Sequence, residues 1–275
     1  SGSGQSAKSR SILSNPDFWI VVSLLLFVAM RLYFFFYMAD VRITGDENYQ
    51  YNIFKRGFYV GRGSFMPGLG LYINAFHPVY EKIRVGDARM LVGIGNFVLF
   101  LISVGMVRKL VGGWYAAAFV FVLIFVSDWN TFAYTLWGEH AGSLLIVINF
   151  LYMYWILDQY IQGKNVNFVH YVLLVVFFGA SLYLRQNFIV FPLIAFVLSA
   201  IVFAVQYFKD GRKLYRVFVV PVVFAVGLLA LTPWSMALSK RYGGFRVGPV
   251  SQEISLAVHY GKDRLMQRVD EILEQ

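Results

Sequence analysis

Two adjacent carboxylates, Asp46 and Glu47, are the residues in this sequence best suited to acid–base chemistry. They follow the first long apolar segment, in a chain with only 15 acidic residues against 24 lysines and arginines. A carboxylate at the edge of a cleft can act as a general base on an incoming hydroxyl. The same pair is also typical of an ordinary helix start, with Asp46 as the N-cap and Glu47 in the first turn. Taken alone, the pair leaves both interpretations open.

Arg185 and its neighbour Gln186 lie between two apolar segments, and this combination is suited to binding phosphate. The guanidinium group can donate two parallel hydrogen bonds to a phosphate. An arginine at a membrane boundary can instead extend its side chain toward water simply to solvate its charge. Because charges are rare and costly near a membrane interior, we treat Arg185 as a candidate ligand-binding residue.

Two further polar groups flank apolar segments. Glu139 and His140 begin one of them, where the acid could bind a sugar hydroxyl or form a structural ion pair. His140 has no neighbouring histidines or acids at the spacing of a zinc site. The run Lys240-Arg241-Tyr242 follows another segment, where it could neutralise a lipid phosphate or simply anchor the chain at the interface.

The composition indicates an all-α membrane protein that crosses the bilayer several times. Of its 275 residues, 59% are apolar and 14% charged, and the mean hydropathy is +0.61. Backbone groups inside lipid must be satisfied within each segment, so long apolar blocks predict helices. The net charge of +9 favours contact with anionic lipid head groups and does not by itself indicate nucleic acid. The chain has no cysteine, and no nucleotide-binding glycine motif is recognisable.

We therefore expect a bundle of seven membrane-spanning helices, over Trp19–Met38, Arg89–Val107, Trp114–Val126, Gly138–Leu157, Phe168–Leu184, Phe188–Tyr207 and Val217–Thr232. The last is predicted to stop at Pro233. A short Gly-rich helix within Pro67–Tyr80 is expected at the interface or as a re-entrant segment.

Basic residues in short loops place the N-terminus in the cytoplasm. The expected division is a tail over residues 1–17, whose start is typical of a cloning remnant, a transmembrane module over 18–234, and an outer segment over 235–275. The long loop over 39–88 then faces outward and carries basic residues against the charge rule. An anionic ligand on that face would explain them. We therefore expect the site on the outer face of a membrane.

Several short motifs, in their order along the chain, resemble the GT-C fold glycosyltransferases, and among them the protein O-mannosyltransferases and the lipid A aminoarabinose transferase. The resemblance covers roughly residues 31–261 and rests on Arg31-Leu32-Tyr33, Asp46-Glu47-Asn48-Tyr49, Phe65-Met66-Pro67 through Leu71-Tyr72, Ala88-Arg89-Met90-Leu91, Trp137-Gly138-Glu139, Leu182-Tyr183-Leu184-Arg185, and Pro233-Trp234 with Lys240 through Phe245.

This resemblance implies an inverting enzyme that transfers a sugar from a polyprenyl-phosphate donor to a glycan, lipid or protein hydroxyl. It also implies residence in a bacterial inner membrane, with the active site on the periplasmic face. Asp46 would be the general base, with Glu47 as its support. Members of the superfamily differ in whether they use a divalent cation, and we predict no required cofactor. The donor phosphate would be bound by Arg185, Arg89, Lys240 and Arg241, and the sugar or acceptor pocket would be lined by Tyr49, Arg62, Glu139, His140, Gln186 and Tyr242.

Two other classes of function remain open. A transporter or flippase for a lipid-linked sugar would need polar residues deep in several segments, and the predicted segments are nearly free of charge in their middles. A structural subunit for lipid-linked glycans would need no catalytic residue at all.

Overall fold

The computed structural model describes residues 12–38, 50–51, 66–76, 84–126, 135–136 and 138–242. For Met38, Gln186, Arg241 and Tyr242 it describes the backbone only. In these ranges all regular secondary structure is helical. We number the α-helices in chain order as α1 (Pro16–Met38), α2 (Gly68–Asn74), α3 (Val85–Leu110), α4 (Gly113–Phe125), α5 (Gly138–Ile161), α6 (Phe168–Leu184), α7 (Phe191–Asp210), α8 (Val219–Gly227) and α9 (Thr232–Tyr242).

In the described part of the chain, five helical runs are long and apolar enough to cross a membrane. They are Pro16–Tyr37, Val85–Leu110, Gly138–Ile161, Asn187–Asp210 and Tyr215–Lys240. The expectation of an all-helical fold with several helices long and apolar enough to cross a membrane is confirmed for the described residues. Two of the seven predicted segments form shorter apolar helices, α4 with 13 residues and α6 with 17. At 1.5 Å per residue, α4 is about 20 Å long, against a hydrocarbon layer of about 30 Å.

The described helices pack around three hydrophobic cores. One joins α1, α3 and α4, where the rings of Phe27 and Phe100 stack with their centroids 4.1 Å apart. Another joins α5 to α9 and buries Trp234 completely. The third and smallest core joins α2 to α3 and α5. Close packing here depends on glycine, since a Cβ on Gly227 would lie 2.6 Å from the ring of Phe178. Small residues at helix contacts are typical of membrane bundles, because apolar burial gives little drive for association within lipid.

The prediction that the last segment stops at Pro233 is wrong. A 3-10 turn over Leu228–Leu231 leads directly into α9, and Pro233 lies in the first turn of that helix. Proline is tolerated there because a first-turn N–H has no partner within the helix. Trp234 is consequently a buried core residue and lies inside the helical run Tyr215–Lys240.

Most of the other boundaries differ from the prediction by a few residues, whereas those of α6 agree with it. The segment predicted to start at Phe188 begins with a 3-10 turn over Gln186–Val190, and α7 starts at Phe191, with Pro192 in its first turn. The short Gly-rich helix is confirmed as α2, which packs between α3 and α6 and buries Leu69 and Ile73.

Candidate functional site

Charged and polar side chains from several helices lie at one end of the bundle, which we call the polar end. Its charged and imidazole groups are Arg31 on α1, Arg89 on α3, Glu139 and His140 on α5, and Arg185 directly after α6. Helices α1 and α3 are antiparallel, because Asp17 at the start of α1 pairs with Arg108 near the end of α3. The polar end is therefore the end opposite to that pair.

Glu139 and Arg185 form an ion pair across the start of α5 and the end of α6. Arg185 leaves the helix in an extended conformation, while its backbone N–H donates to the carbonyl oxygen of Ser181 at 2.8 Å. The side chains remain 37% and 42% exposed, respectively. An arginine has five N–H donors, so a carboxylate partner does not exhaust its capacity to bind an anion.

Two glycines on α5 allow this close approach. A Cβ on Gly138 would lie 2.8 Å from the carbonyl oxygen of Leu184, and a Cβ on Gly142 would lie 3.4 Å from Cγ of Arg185. Larger residues would push the end of α6, and Arg185 with it, away from Glu139. The sequence therefore positions the ion pair through small residues as well as through charge.

Arg31 and His140 form a second, more deeply buried contact, with 3.5 Å between Nη2 of the arginine and Nε2 of the histidine. Arg31 is 7% exposed and His140 3% exposed. The guanidinium carbon of Arg31 also lies 4.5 Å from the centre of the Phe27 ring. A cation above an aromatic face is stabilised by the ring quadrupole, most of all where water is excluded.

The buried side chain of Gln50 anchors α2 at the polar end. Its amide nitrogen donates to the carbonyl oxygen of Met66 at 2.7 Å, and its amide oxygen accepts from the N–H of Gly70 at 2.9 Å. α2 in turn reaches the end of α6, because a Cβ on Gly68 would lie 2.6 Å from the carbonyl oxygen of Tyr183. Gln50, which directly follows Tyr49 in the sequence, is thus joined to the same end of the bundle as Arg185.

Tyr72 of α2 fixes this helix against α3. Its hydroxyl donates to the carbonyl oxygen of Leu91 at 3.0 Å, and the ring lies close to Gly95, where a Cβ would be 2.8 Å from the hydroxyl oxygen. Burial raises the pKa of the Tyr72 phenol, because the charged phenolate would be poorly solvated there. The hydroxyl therefore stays a hydrogen-bond donor well above neutral pH.

Two cavities flank α3 near the polar end. Cavity A, of about 330 Å³, lies between α1, α3 and α5 and is lined by Phe27, Val28, Arg31, Met90, Phe97 and His140 among others. Cavity B, of about 440 Å³, lies between α2, α3, α5 and α6 and is lined by Tyr72, Ala141, Val176, Ala180, Tyr183 and Leu184 among others. Both fall within the range of roughly 300–1,000 Å³ found for ligand pockets. Their walls are overwhelmingly apolar, so they are suited to aliphatic chains.

The predicted site residues fall into three groups. Glu139, His140 and Arg185 lie together at the polar end. The second group is Arg89 and Lys240. Arg89 is only 1% exposed, which suits a positioning role better than direct contact with a ligand at an open surface. Lys240 is exposed on the last turn of α9. Gln186, Arg241 and Tyr242 are described in their backbone only, and Asp46, Glu47, Tyr49 and Arg62 lie outside the described residues.

Two residues of this site were not among the sequence-based candidates, Arg31 and Gln50. Arg31 is the single charge within the first predicted span, and an ionisable residue inside a membrane segment is a functional candidate by default. That signal was available in the sequence. Gln50 carried no comparable signal, because its role depends on the position of Met66 and Gly70 in space.

In the described residues, no three His, Cys, Asp or Glu side chains come close enough to hold a metal ion. The adjacent acids Asp46 and Glu47 lie outside that range. A comparison with protein-family models, with curated proteins and with solved structures finds no match for this chain.

Proposed function

We propose that this protein is a membrane glycosyltransferase that moves a sugar from a polyprenyl-phosphate donor to a hydroxyl acceptor at the polar end. The observation that carries the proposal is the position of Arg185, whose preceding residues Tyr183 and Leu184 line cavity B. A half-exposed arginine next to an apolar cavity matches a ligand with a phosphate head and an aliphatic tail. The polyprenyl chain would occupy cavity B, and Arg185 would bind the phosphate.

The general base proposed for the reaction is Asp46, which precedes Gln50 by four residues. Four residues of extended chain span at most about 14 Å, so the anchoring of Gln50 at α2 supports a location of Asp46 near the polar end. The acceptor hydroxyl gives its proton to Asp46 as its oxygen forms a bond to the anomeric carbon. The bond from that carbon to the phosphate oxygen breaks, and the phosphate leaves with the electron pair. Arg185 stabilises the charge on the leaving phosphate.

Seven membrane crossings with a cytoplasmic N-terminus are part of the proposal. They require the short helices α4 and α6 to cross as well. In support, α4 starts beside the start of α1, since a Cβ on Gly113 would lie 2.9 Å from Pro16, and runs along α1 and α3. The chain has no cysteine, so a single introduced cysteine can be labelled uniquely. We expect Lys109→Cys to be labelled from the cytoplasm, and Glu47→Cys and Ser127→Cys from outside. Labelling of 109 and 127 from the same side would contradict a crossing by α4.

The enzymatic proposal is tested by transfer of a radiolabelled sugar from polyprenyl phosphate to a bacterial membrane extract by the purified protein. We expect Asp46→Asn to lower the rate by about a hundredfold or more, because a general base typically contributes that much. Asp17→Asn is the matched control, since it removes a carboxylate at the opposite end. Full activity of the Asp46 variant would exclude it as the base. Movement of the donor across proteoliposome membranes without any transfer would instead support a carrier.

A further inference from the structure

Cavity A has no role in the proposed donor site. It lies across α3 from cavity B, and Asn96 and Ile94 line both of them. The two cavities also differ in charge. Arg31 lines cavity A, whereas the described residues that line cavity B include no arginine, lysine, aspartate or glutamate.

The position of Arg31 is costly for a membrane helix. Ionisable side chains within a membrane segment are energetically unfavourable, and such residues are therefore rare and usually functional. Phe27 beneath the guanidinium and His140 beside it hold the group in place at the wall of the cavity. Phe27, Arg31 and His140 all line cavity A, so the residues that contact the cation also form part of the cavity wall.

The cavity is bordered by residues that face outward from the bundle. Leu32 on α1 is 52% exposed, and Met90 and Ile94 on α3 are 41% and 50% exposed. In a membrane helix bundle, exposed apolar side chains are those that contact lipid. The gap between α1 and α3 is therefore a lateral route from the bilayer into cavity A, and no passage through the aqueous phase is needed.

We propose that cavity A binds one aliphatic chain of a phosphate-bearing membrane lipid, with the lipid phosphate at Arg31. The occupant follows from charge complementarity and shape. An arginine prefers phosphate because its planar fork matches two phosphate oxygens, and the phenylalanine-lined cavity accommodates a hydrocarbon chain. The lipid enters sideways between α1 and α3, so its head group stays near the polar end while its chain lies along Phe97 and Phe100.

This site is independent of sugar transfer, and its test uses no sugar. Together with the proposed function, however, it specifies the acceptor class. A lipid held by Arg31 would sit next to His140, which directly follows Glu139 of the pair with Arg185. For the proposed glycosyltransferase, the acceptor hydroxyl is carried by a phosphate-bearing lipid in cavity A. The polyprenyl chain of the donor occupies cavity B, on the other side of α3.

The experiment is photolabelling of the full chain in dodecyl maltoside micelles, because this detergent carries no phosphate that could compete for Arg31. One probe is phosphatidic acid with a diazirine in one acyl chain, and the other is diacylglycerol with the same chain and no phosphate. We expect saturable labelling within residues 27–35 and 90–100 by the first probe, and about tenfold less by the second, the factor typical of losing one charge-assisted hydrogen bond. Unlabelled phosphatidic acid should compete for it.

Variants separate the cavity from the general lipid-facing surface. Val28→Trp fills cavity A and should remove most of the saturable labelling, whereas Ala180→Trp, in the wall of cavity B, should leave it unchanged. Arg31→Lys should keep the preference for the phosphate probe, and Arg31→Gln should abolish it. Labelling that does not saturate, equal labelling of the wild type by both probes, or insensitivity to Val28→Trp would each overturn the proposal. If Arg31→Gln fails to fold, the two probes on the wild type and Val28→Trp still decide it.

Discussion

Two arginine–carboxylate pairs lie at opposite ends of the bundle, and they differ in their surroundings more than in their exposure. Asp17 and Arg108 are 49% and 56% exposed and are joined by two hydrogen bonds of 2.8 Å. Glu139 and Arg185 are only slightly less exposed. Arg31, which lines cavity A, is 14 residues beyond Asp17, or about 21 Å along α1.

The comparison shows that the ion pair alone does not mark a binding site. An exposed pair contributes about 0–1 kcal/mol to stability wherever it lies, so either pair is adequately explained as a weak clamp between helices. What distinguishes Glu139–Arg185 is that its sequence neighbours His140, Ala141 and Leu184 line cavities A and B. We propose that the charge and the neighbouring apolar cavity together bind an amphiphilic ligand, which has both a charged head and an aliphatic chain.

Exchanging the charges of each pair gives the largest predicted difference between the two ends. Glu139→Arg with Arg185→Glu preserves an ion pair but places a carboxylate where the donor phosphate should bind, so sugar transfer should fall by about a hundredfold or more. Asp17→Arg with Arg108→Asp should leave transfer within about twofold, because that pair is only an exposed clamp. Equal loss of transfer in both double variants, at unchanged thermal stability, would show that the ends do not differ in function.

Glycine packing should distinguish the two ends in stability. Gly138→Ala places a Cβ 2.8 Å from the Leu184 carbonyl oxygen, so unfolding in mixed micelles should become easier by about 1–3 kcal/mol. The matched control is Gly105→Ala on α3, where nothing lies within 4 Å of the added Cβ. This control should be neutral or stabilising by up to about 1 kcal/mol, since alanine is the better helix former. Similar destabilisation by both would contradict the close approach of α5 and α6.

A buried hydrogen bond between α5 and α6 should contribute a smaller amount. The side-chain nitrogen of Asn149 donates to the hydroxyl oxygen of Ser181 at 2.7 Å, in a fully buried position. Asn149→Ala should lower the free energy of unfolding by roughly 0.6–1.7 kcal/mol, the range found for such bonds between membrane helices. Ser103→Ala is the control, because that hydroxyl donates only within α3, to Leu99. If Ser103→Ala lowered the free energy of unfolding more than Asn149→Ala does, the interhelical hydrogen bond could not be the cause of the loss of stability in Asn149→Ala.

The Asp17–Arg108 pair should give the smallest effect. Asp17→Asn is expected to change the free energy of unfolding by less than about 1 kcal/mol, and by less still in high salt, because both side chains are substantially exposed. A loss of several kcal/mol that persists in high salt would show that the end with Asp17 is the more rigid one.

The sequence was sufficient to predict the helical elements but not their lengths or breaks. Long apolar blocks predicted α1, α3, α5 and α7, and the bounds of α6 agree to the residue with the prediction Phe168–Leu184. Hydropathy could not show that Pro233 lies inside a helical run, since a proline is compatible with both a helix end and a first turn. The burial of Trp234 was missed for the same reason.

The grouping of Glu139, His140 and Arg185 at one end was expected from topology, because each lies at an end of a predicted helix. The contact between Arg31 and His140 was not expected, since the two residues are 109 positions apart and depend on how α1 and α5 pack against α3. The separation of cavities A and B by α3 is likewise a product of packing, which no local pattern in the sequence encodes.

The most direct measurement of the central claim is the affinity for a polyprenyl phosphate without a sugar, compared among the wild type, Arg185→Gln and Arg108→Gln. Both variants remove one guanidinium from one exposed pair, so they differ only in which end of the bundle is changed. A lost charge-assisted hydrogen bond corresponds to a rise in Kd of about 10- to 100-fold, which we predict for Arg185→Gln, together with an unchanged Kd for Arg108→Gln. Wild-type affinity in Arg185→Gln, or an equal loss in both variants, would contradict a donor site at the polar end.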